Sequence, residues 1–163
     1  MRGSRGGEMW PMSDSQFHEM AIESLMVREP TCVHPDTSVA KALDLMFDQK
    51  VSALPVVDDG KCVGIVTATD LVVLIRSITK VLQSEYPHYD DCLWAVDMVQ
   101  KRAASDPIRE IMSEVLVEAT PQTSVGQAAA LMAREGVHHL PVVDQGKLVG
   151  FLSSLDLIRE FSD

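Results

Sequence analysis

Two stretches of the chain carry the same pattern of apolar and polar positions. In the first, Val39, Ala42, Leu43 and Met46 fall at i, i+3, i+4 and i+7, the spacing of one helical face. Val125, Ala128, Ala129 and Met132 do the same in the second. Thr37 or Thr123 precedes each predicted helix and reads as its N-cap, because a hydroxyl there accepts an orphan backbone N–H. Gly136 closes the second helix as a residue free to take positive φ. Lys50 holds that position in the first, which makes the cap costlier or differently shaped. The pattern then shifts to that of strands, one over 51–57 and one over 62–66, joined by a turn at Asp58-Asp59-Gly60-Lys61. Pro55 argues against ladder hydrogen bonding at its own position. A helix starts near Thr69, and a short extended piece near Thr31–Val33 precedes the unit.

The two stretches are copies. Residues 35–71 align with 121–157 at a constant offset of 86 without a gap, and 19 of the 37 positions are identical. The longest shared block is Leu54-Pro-Val-Val-Asp58, which returns as Leu140-Pro-Val-Val-Asp144. Each unit reads helix–strand–strand–helix and is too small for a strong core alone, so the two are expected to pack together. Between them the helix from Thr69 runs on to about Ser84, and Tyr86-Pro87-His88 breaks it. A further helix is predicted over 91–104, with Leu93, Val96, Val99 and Ala103 on one face and Trp94 beside them as a packing or dimer contact. A third is predicted from Asp106 as N-cap and Pro107 at N1, carrying Ile108, Ile111 and Met112. Phe17, Ala21, Ile22, Leu25 and Met26 form the matching N-terminal helix. The expected divisions are 1–12 as expression-vector residue, 13–84 as first repeat, 85–104 as a helical linker insertion and 105–163 as second repeat.

Composition narrows the function classes. The chain has 163 residues, 46% of them hydrophobic, and a formal charge of −10. An acidic surface argues against nucleic-acid binding. No apolar run is long enough to span a bilayer. Cys32, Cys62 and Cys92 form no CxxC pair and read as free thiols in a reducing, cytoplasmic setting. His88 and Cys92 lack a third ligand nearby, so no metal site is expected. No catalytic constellation stands out, and the chain is not expected to be an enzyme.

One motif in both copies does suggest chemistry: Gly64-x-x-Thr67-x-x-Asp70 and Gly150-x-x-Ser153-x-x-Asp156. A hydroxyl three residues before an aspartate, at a strand-to-helix junction, puts both near a helix N-terminus. Backbone N–H groups and the helix dipole favour a phosphate there, and the carboxylate can accept two ribose hydroxyls. The glycine permits close approach of a ligand or of backbone. The same residues can equally well cap the following helix.

Together with the Leu-Pro-Val-Val-Asp blocks, this pattern resembles the CBS domain, over roughly residues 17–84 and 105–162. The resemblance implies an α/β (α+β) fold, two CBS-type repeats related by a pseudo-twofold axis, with packed sheets and flanking helices (a Bateman module). It implies a regulatory module that binds an adenosine ligand (AMP, ADP or ATP, less readily NAD or S-adenosylmethionine), forms a homodimer and acts on an effector protein that is a separate chain. It assigns Thr67 and Ser153 to phosphate and Asp70 and Asp156 to ribose. Ser52, Ala53, His138 and His139 fall against adenine. Arg159, one turn into the last helix, is within reach of a phosphate. His138 and His139 are adjacent on a strand and expected to point to opposite faces, one of them toward the cleft. Cys32 and Glu118 stand where the family often carries a ligand-touching threonine, and Glu118 would repel phosphate, which implies unequal sites. The alternative is a structural or protein-interaction dimer with no bound nucleotide.

Overall fold

A computed structural model describes residues 14–85 and 92–160; the side chains of residues 14, 79, 81–85, 92–96, 98 and 99 lie outside that description. In chain order the elements are α1 (Asp14–Glu19), β1 (Val27–Arg28), α2 (Val39–Gln49), β2 (Ala53–Asp58), β3 (Lys61–Thr67), α3 (Ala68–Glu85), α4 (Cys92–Ser105), α5 (Val125–Glu135), β4 (His139–Asp144), β5 (Lys147–Ser153) and α6 (Ser154–Glu160). The helix–strand–strand–helix unit is present twice. The break expected at Tyr86-Pro87-His88 lies outside the described residues, as do the side chains of Leu93, Trp94, Val96 and Val99.

The central helices start one residue later than expected. Ser38 and Ser124, not Thr37 and Thr123, are the N-caps, their hydroxyls accepting from the amides of Lys41 and Gln127. Ser124 and Gln127 form a full capping box. Thr37 and Thr123 instead tie the preceding turns, accepting from the amides of His34 and Thr120 at 3.0 Å. At the other end, Lys50 (φ 55°) and Gly136 (φ 67°) adopt the same left-handed cap. The Lys50 cap therefore has the same shape as that of Gly136 and carries a side chain in a conformation that favours glycine.

Each β-hairpin contains a register shift, at Val56/Val57 and at Val142/Val143. Pro55 is compatible with its strand for a specific reason. On the side away from β3, Val33 donates to the Pro55 carbonyl and accepts from the Val57 amide, so the missing N–H interrupts no ladder bond.

The sheets are completed by exchange. β1, in the leading segment of the first repeat, pairs with β5 of the second, Val27 opposite Phe151. Ser113, in the leading segment of the second repeat, bridges Ile65 of the first. Both pairs are related by the 86-residue offset, so the two repeats exchange their leading segments reciprocally, as a twofold relation requires. The cores follow: Phe17, Ile22 and Met26 lie in the second repeat's core, and Ile108 lies in that of the first with Ile111 and Met112 against it. Ile22 and Ile108 are both fully buried, each contributing on the order of 1.5–3 kcal/mol.

This exchange also shortens two expected helices. The N-terminal helix is interrupted: α1 ends at Glu19, Ala21 is extended, and a single 3-10 turn spans Ile22–Ser24. The Ile22 amide donates to the Thr123 carbonyl and the Val125 amide to that of Met20. The helix expected from Asp106 is likewise one 3-10 turn, Ile108–Glu110, after an extended Pro107. Asp106 accepts from Arg102 Nε at 2.8 Å, and the Ile108 amide donates to the Thr37 carbonyl. Tertiary hydrogen bonds occupy the groups that a longer helix would have used.

Candidate ligand-binding cleft

The two repeats enclose a cleft of about 780 Å³ at the ends of the strands where β3 and β5 run into α3 and α6. That volume is in the range of small-molecule sites. Thr67 ends β3 and Ser153 ends β5, so strand geometry delivers both hydroxyls to the cleft wall. The turn is locked identically in each repeat. Thr67 donates from its amide (2.6 Å) and its hydroxyl (2.7 Å) to Asp70 Oδ2, and the Asp70 amide donates back to Thr67 Oγ1 at 3.3 Å. Ser153 and Asp156 repeat this at 2.8, 2.7 and 3.3 Å. Helix capping is therefore realised at both motifs. In each aspartate the cap uses Oδ2, and Oδ1 takes no part in it.

Of the residues expected at the site, Ser52, Ala53, Thr67, His138, His139, Ser153, Asp156 and Arg159 all line this one cleft. Asp70 does not, although its hydrogen bonds with Thr67 match those of Asp156 with Ser153. His138 precedes β4 at a bend, so strand alternation does not govern it, and both histidines border the cleft rather than one. Hydrogen bonds from the Ala68 amide to the Ser52 carbonyl and from the Ser154 amide to that of His138, both 2.9 Å, hold these residues beside the following helix. The imidazole of His139 stacks on Phe151 with ring centres 5.6 Å apart and planes 11° from parallel. Burial pushes its pKa down, the neighbouring His138 adds to that, and Asp156 opposes it. The second repeat thus brings a stacked pair of rings to the cleft, and burial disfavours the charged form of His139.

Neither Cys32 nor Glu118 lines the cleft. Val117 does, and the Glu118 charge acts instead on the thiol of Cys62. Burial, with smaller help from Glu118, raises that thiol to about 11. Cys32 and Cys62 are free thiols; the Cys92 side chain lies outside the described residues. The motif glycines serve the fold rather than a ligand. A Cβ on Gly64 would stand 2.7 Å from Met112 Sδ, and one on Gly150 would meet Met26 Sδ, so each glycine seats the methionine of the exchanged segment. Among the lining residues that the sequence did not single out as site residues are Val27, Ser113, Lys50 and Phe151. The first two arrive only through the exchange. Among the described residues no His/Cys/Asp/Glu group could hold a metal ion, and no helix is long and apolar enough to cross a membrane.

Two α/β repeats with exchanged leading segments and a shared cleft define a class of regulatory, non-catalytic module. The family model for the CBS domain matches residues 22–77 and 108–163, and the chain belongs to the CBS-domain family as a tandem pair. It is 30% identical to protein MJ1426 of Methanocaldococcus jannaschii over 86% of this chain and 90% of that one. The CBS domain of a CBS domain-containing membrane protein from Sphaerobacter thermophilus superposes with a TM-score of 0.69 at 26% identity, covering 88% of each chain. A structure of CBSX2 in complex with AMP gives 0.66 at 27% identity, covering 87% of this chain and 96% of that one.

Proposed function

We propose that the protein is an adenosine-nucleotide sensor that regulates a separate effector protein in the cytoplasm. The observation that carries this reading is the convergence of Ser153, Asp156, Arg159 and the His139–Phe151 stack on one cleft. Adenine lies against the aromatic wall, the ribose hydroxyls donate to Asp156 Oδ1, and the phosphate meets Arg159 and the Ser153 hydroxyl, whose proton turns from Asp156 Oδ2 to reach it. In the first repeat Thr67, Ser52 and Ala53 take the corresponding places. The AMP complex of CBSX2 supports the ligand class. The working form is a homodimer: Phe47, Val72, Val73 and Leu155 are all exposed on helices, and a second copy would cover them. Repeats 13–84 and 105–163, with 85–104 as linker, are the sequence divisions of this module.

Calorimetric titration with AMP, ADP, ATP, NAD and S-adenosylmethionine tests the reading. An adenine nucleotide should bind with a Kd below about millimolar. If none of the five binds, the chain is instead an interaction module, and a partner must be sought for its surface.

A further inference from the structure

We propose that Lys50 is a phosphate-anchoring residue that makes this cleft selective for phosphorylated adenosine ligands over thioether and sulfonium ones. The proposal rests on the sensor reading above and deepens it.

Lys50 ends α2 in a left-handed conformation (φ 55°, ψ 41°), its amide capping the carbonyls of Met46 and Phe47. The pseudo-equivalent residue is Gly136, which holds the same conformation without a side chain. Glycine is the natural occupant there, so the first repeat accepts strain that the second avoids. What the lysine adds is a cation: both positions line the cleft, and only the first brings a charge to it. Among the described residues no carboxylate lies within ion-pair distance of Lys50.

The other cleft-lining charges complete the argument. Arg159, from the second repeat, lines the same cleft as Lys50. Asp156 is the one carboxylate among the lining residues, and its Oδ2 is committed to the Ser153 cap. Arg159 stands 4.0 Å from Asp156, a long contact that leaves the guanidinium open to a further anion. Two cations therefore face one cavity from opposite repeats. A ligand carrying phosphate gains from both, a neutral thioether gains from neither, and a sulfonium is opposed by both.

The test compares wild type with Lys50→Gly, Lys50→Gln and Lys50→Arg, titrated with ATP, adenosine, 5′-methylthioadenosine and S-adenosylmethionine at low and moderate salt. Lys50→Gly and Lys50→Gln should each weaken ATP by roughly 5–20-fold, an effect that shrinks as salt rises. Adenosine and methylthioadenosine should stay within about twofold, and Lys50→Arg should retain ATP affinity. Lys50→Gly should melt no lower than wild type, because glycine suits the left-handed cap. A purely structural role predicts the reverse, with equal losses for ATP and adenosine. The proposal is overturned by that pattern, or by wild type binding ATP while the Gly and Gln variants match it within about twofold. If wild type binds no adenosine ligand at all, the sensor reading itself falls and takes this proposal with it.

Discussion

Ser52, Ala53 and Ile65 stand in the first repeat where His138, His139 and Phe151 stand in the second, and all six line the same cleft. Lys50 faces Gly136 in this comparison, and the unlined position of Val73 faces Arg159. The framework around these positions is otherwise duplicated: the Ser N-caps, the Leu-Pro-Val-Val-Asp strands, the hydroxyl–aspartate caps and the seated methionines. The framework positions are alike in the two repeats, whereas several of those that meet the cleft differ. The second repeat supplies rings and an arginine, and the first supplies a lysine and a smaller, smoother wall. A duplicated fold here encloses one cleft with unequal walls.

The sharpest way to break the symmetry of the framework is through the exchanged segments. Ile108→Ala and Ile22→Ala should each cost about 2–5 kcal/mol in urea unfolding. The damage should cross over. Hydrogen exchange should report lost protection in β2 and β3 for Ile108→Ala, and in β4 and β5 for Ile22→Ala, since each isoleucine sits in the other repeat's core. Loss confined to each residue's own repeat would contradict the exchange.

The cleft asymmetry is tested next. Asp156→Ala should weaken nucleotide binding by roughly 10–150-fold, the loss of a charge-assisted hydrogen bond. Asp70→Ala should weaken it far less, because Asp156 lines the cleft and Asp70 does not. Both variants should lose a similar stability, about 0.5–2 kcal/mol, since the two caps are alike. Equal affinity losses would restore two equivalent sites.

Gly64→Ala and Gly150→Ala should each destabilise by about 1–3 kcal/mol through overpacking against Met112 and Met26. The Gly64 variant should recover less on trimming its methionine, because the carbonyl of Ser113 also lies 3.0 Å from the added carbon. Thermal melts of the single and double variants measure this.

The smallest effect is the pH dependence of His139. Its folded pKa is depressed by burial, so between the folded and unfolded values the unfolded chain binds more protons. Stability contributed by the neutral ring is present above the ordinary histidine pKa and is lost as pH falls below about 6.5 toward the folded value. His139→Phe keeps the stack on Phe151 and should flatten the stability–pH profile in that window. Ala53, its counterpart in the first repeat, contributes no such slope.

Local pattern was enough to reveal the repeat, because apolar spacing and the identical strand blocks are properties of short segments. Eight of the nine candidate residues also line the cleft, although Ser52, Ala53, His138 and His139 were placed there by the family resemblance and not by local pattern. The hydroxyl–aspartate motif was legible for the same reason, as its three hydrogen bonds span only three residues. Helix starts at Ser38 and Ser124 were misplaced by one residue because adjacent Thr and Ser are both good caps, and the turn before them decides which is used. What the sequence could not show is where the leading segments go. Ile22 and Ile108 sit on helical patterns in their own stretches, yet hydrogen bonds to Thr123 and Thr37 pull each into a short turn against the opposite repeat. That exchange brings Val27 and Ser113 to the cleft, places Met26 and Met112 over the glycines, and joins two half-sites into one cavity. Segments contribute their faces and caps locally, but which face meets which is settled only when two incomplete cores bury one another.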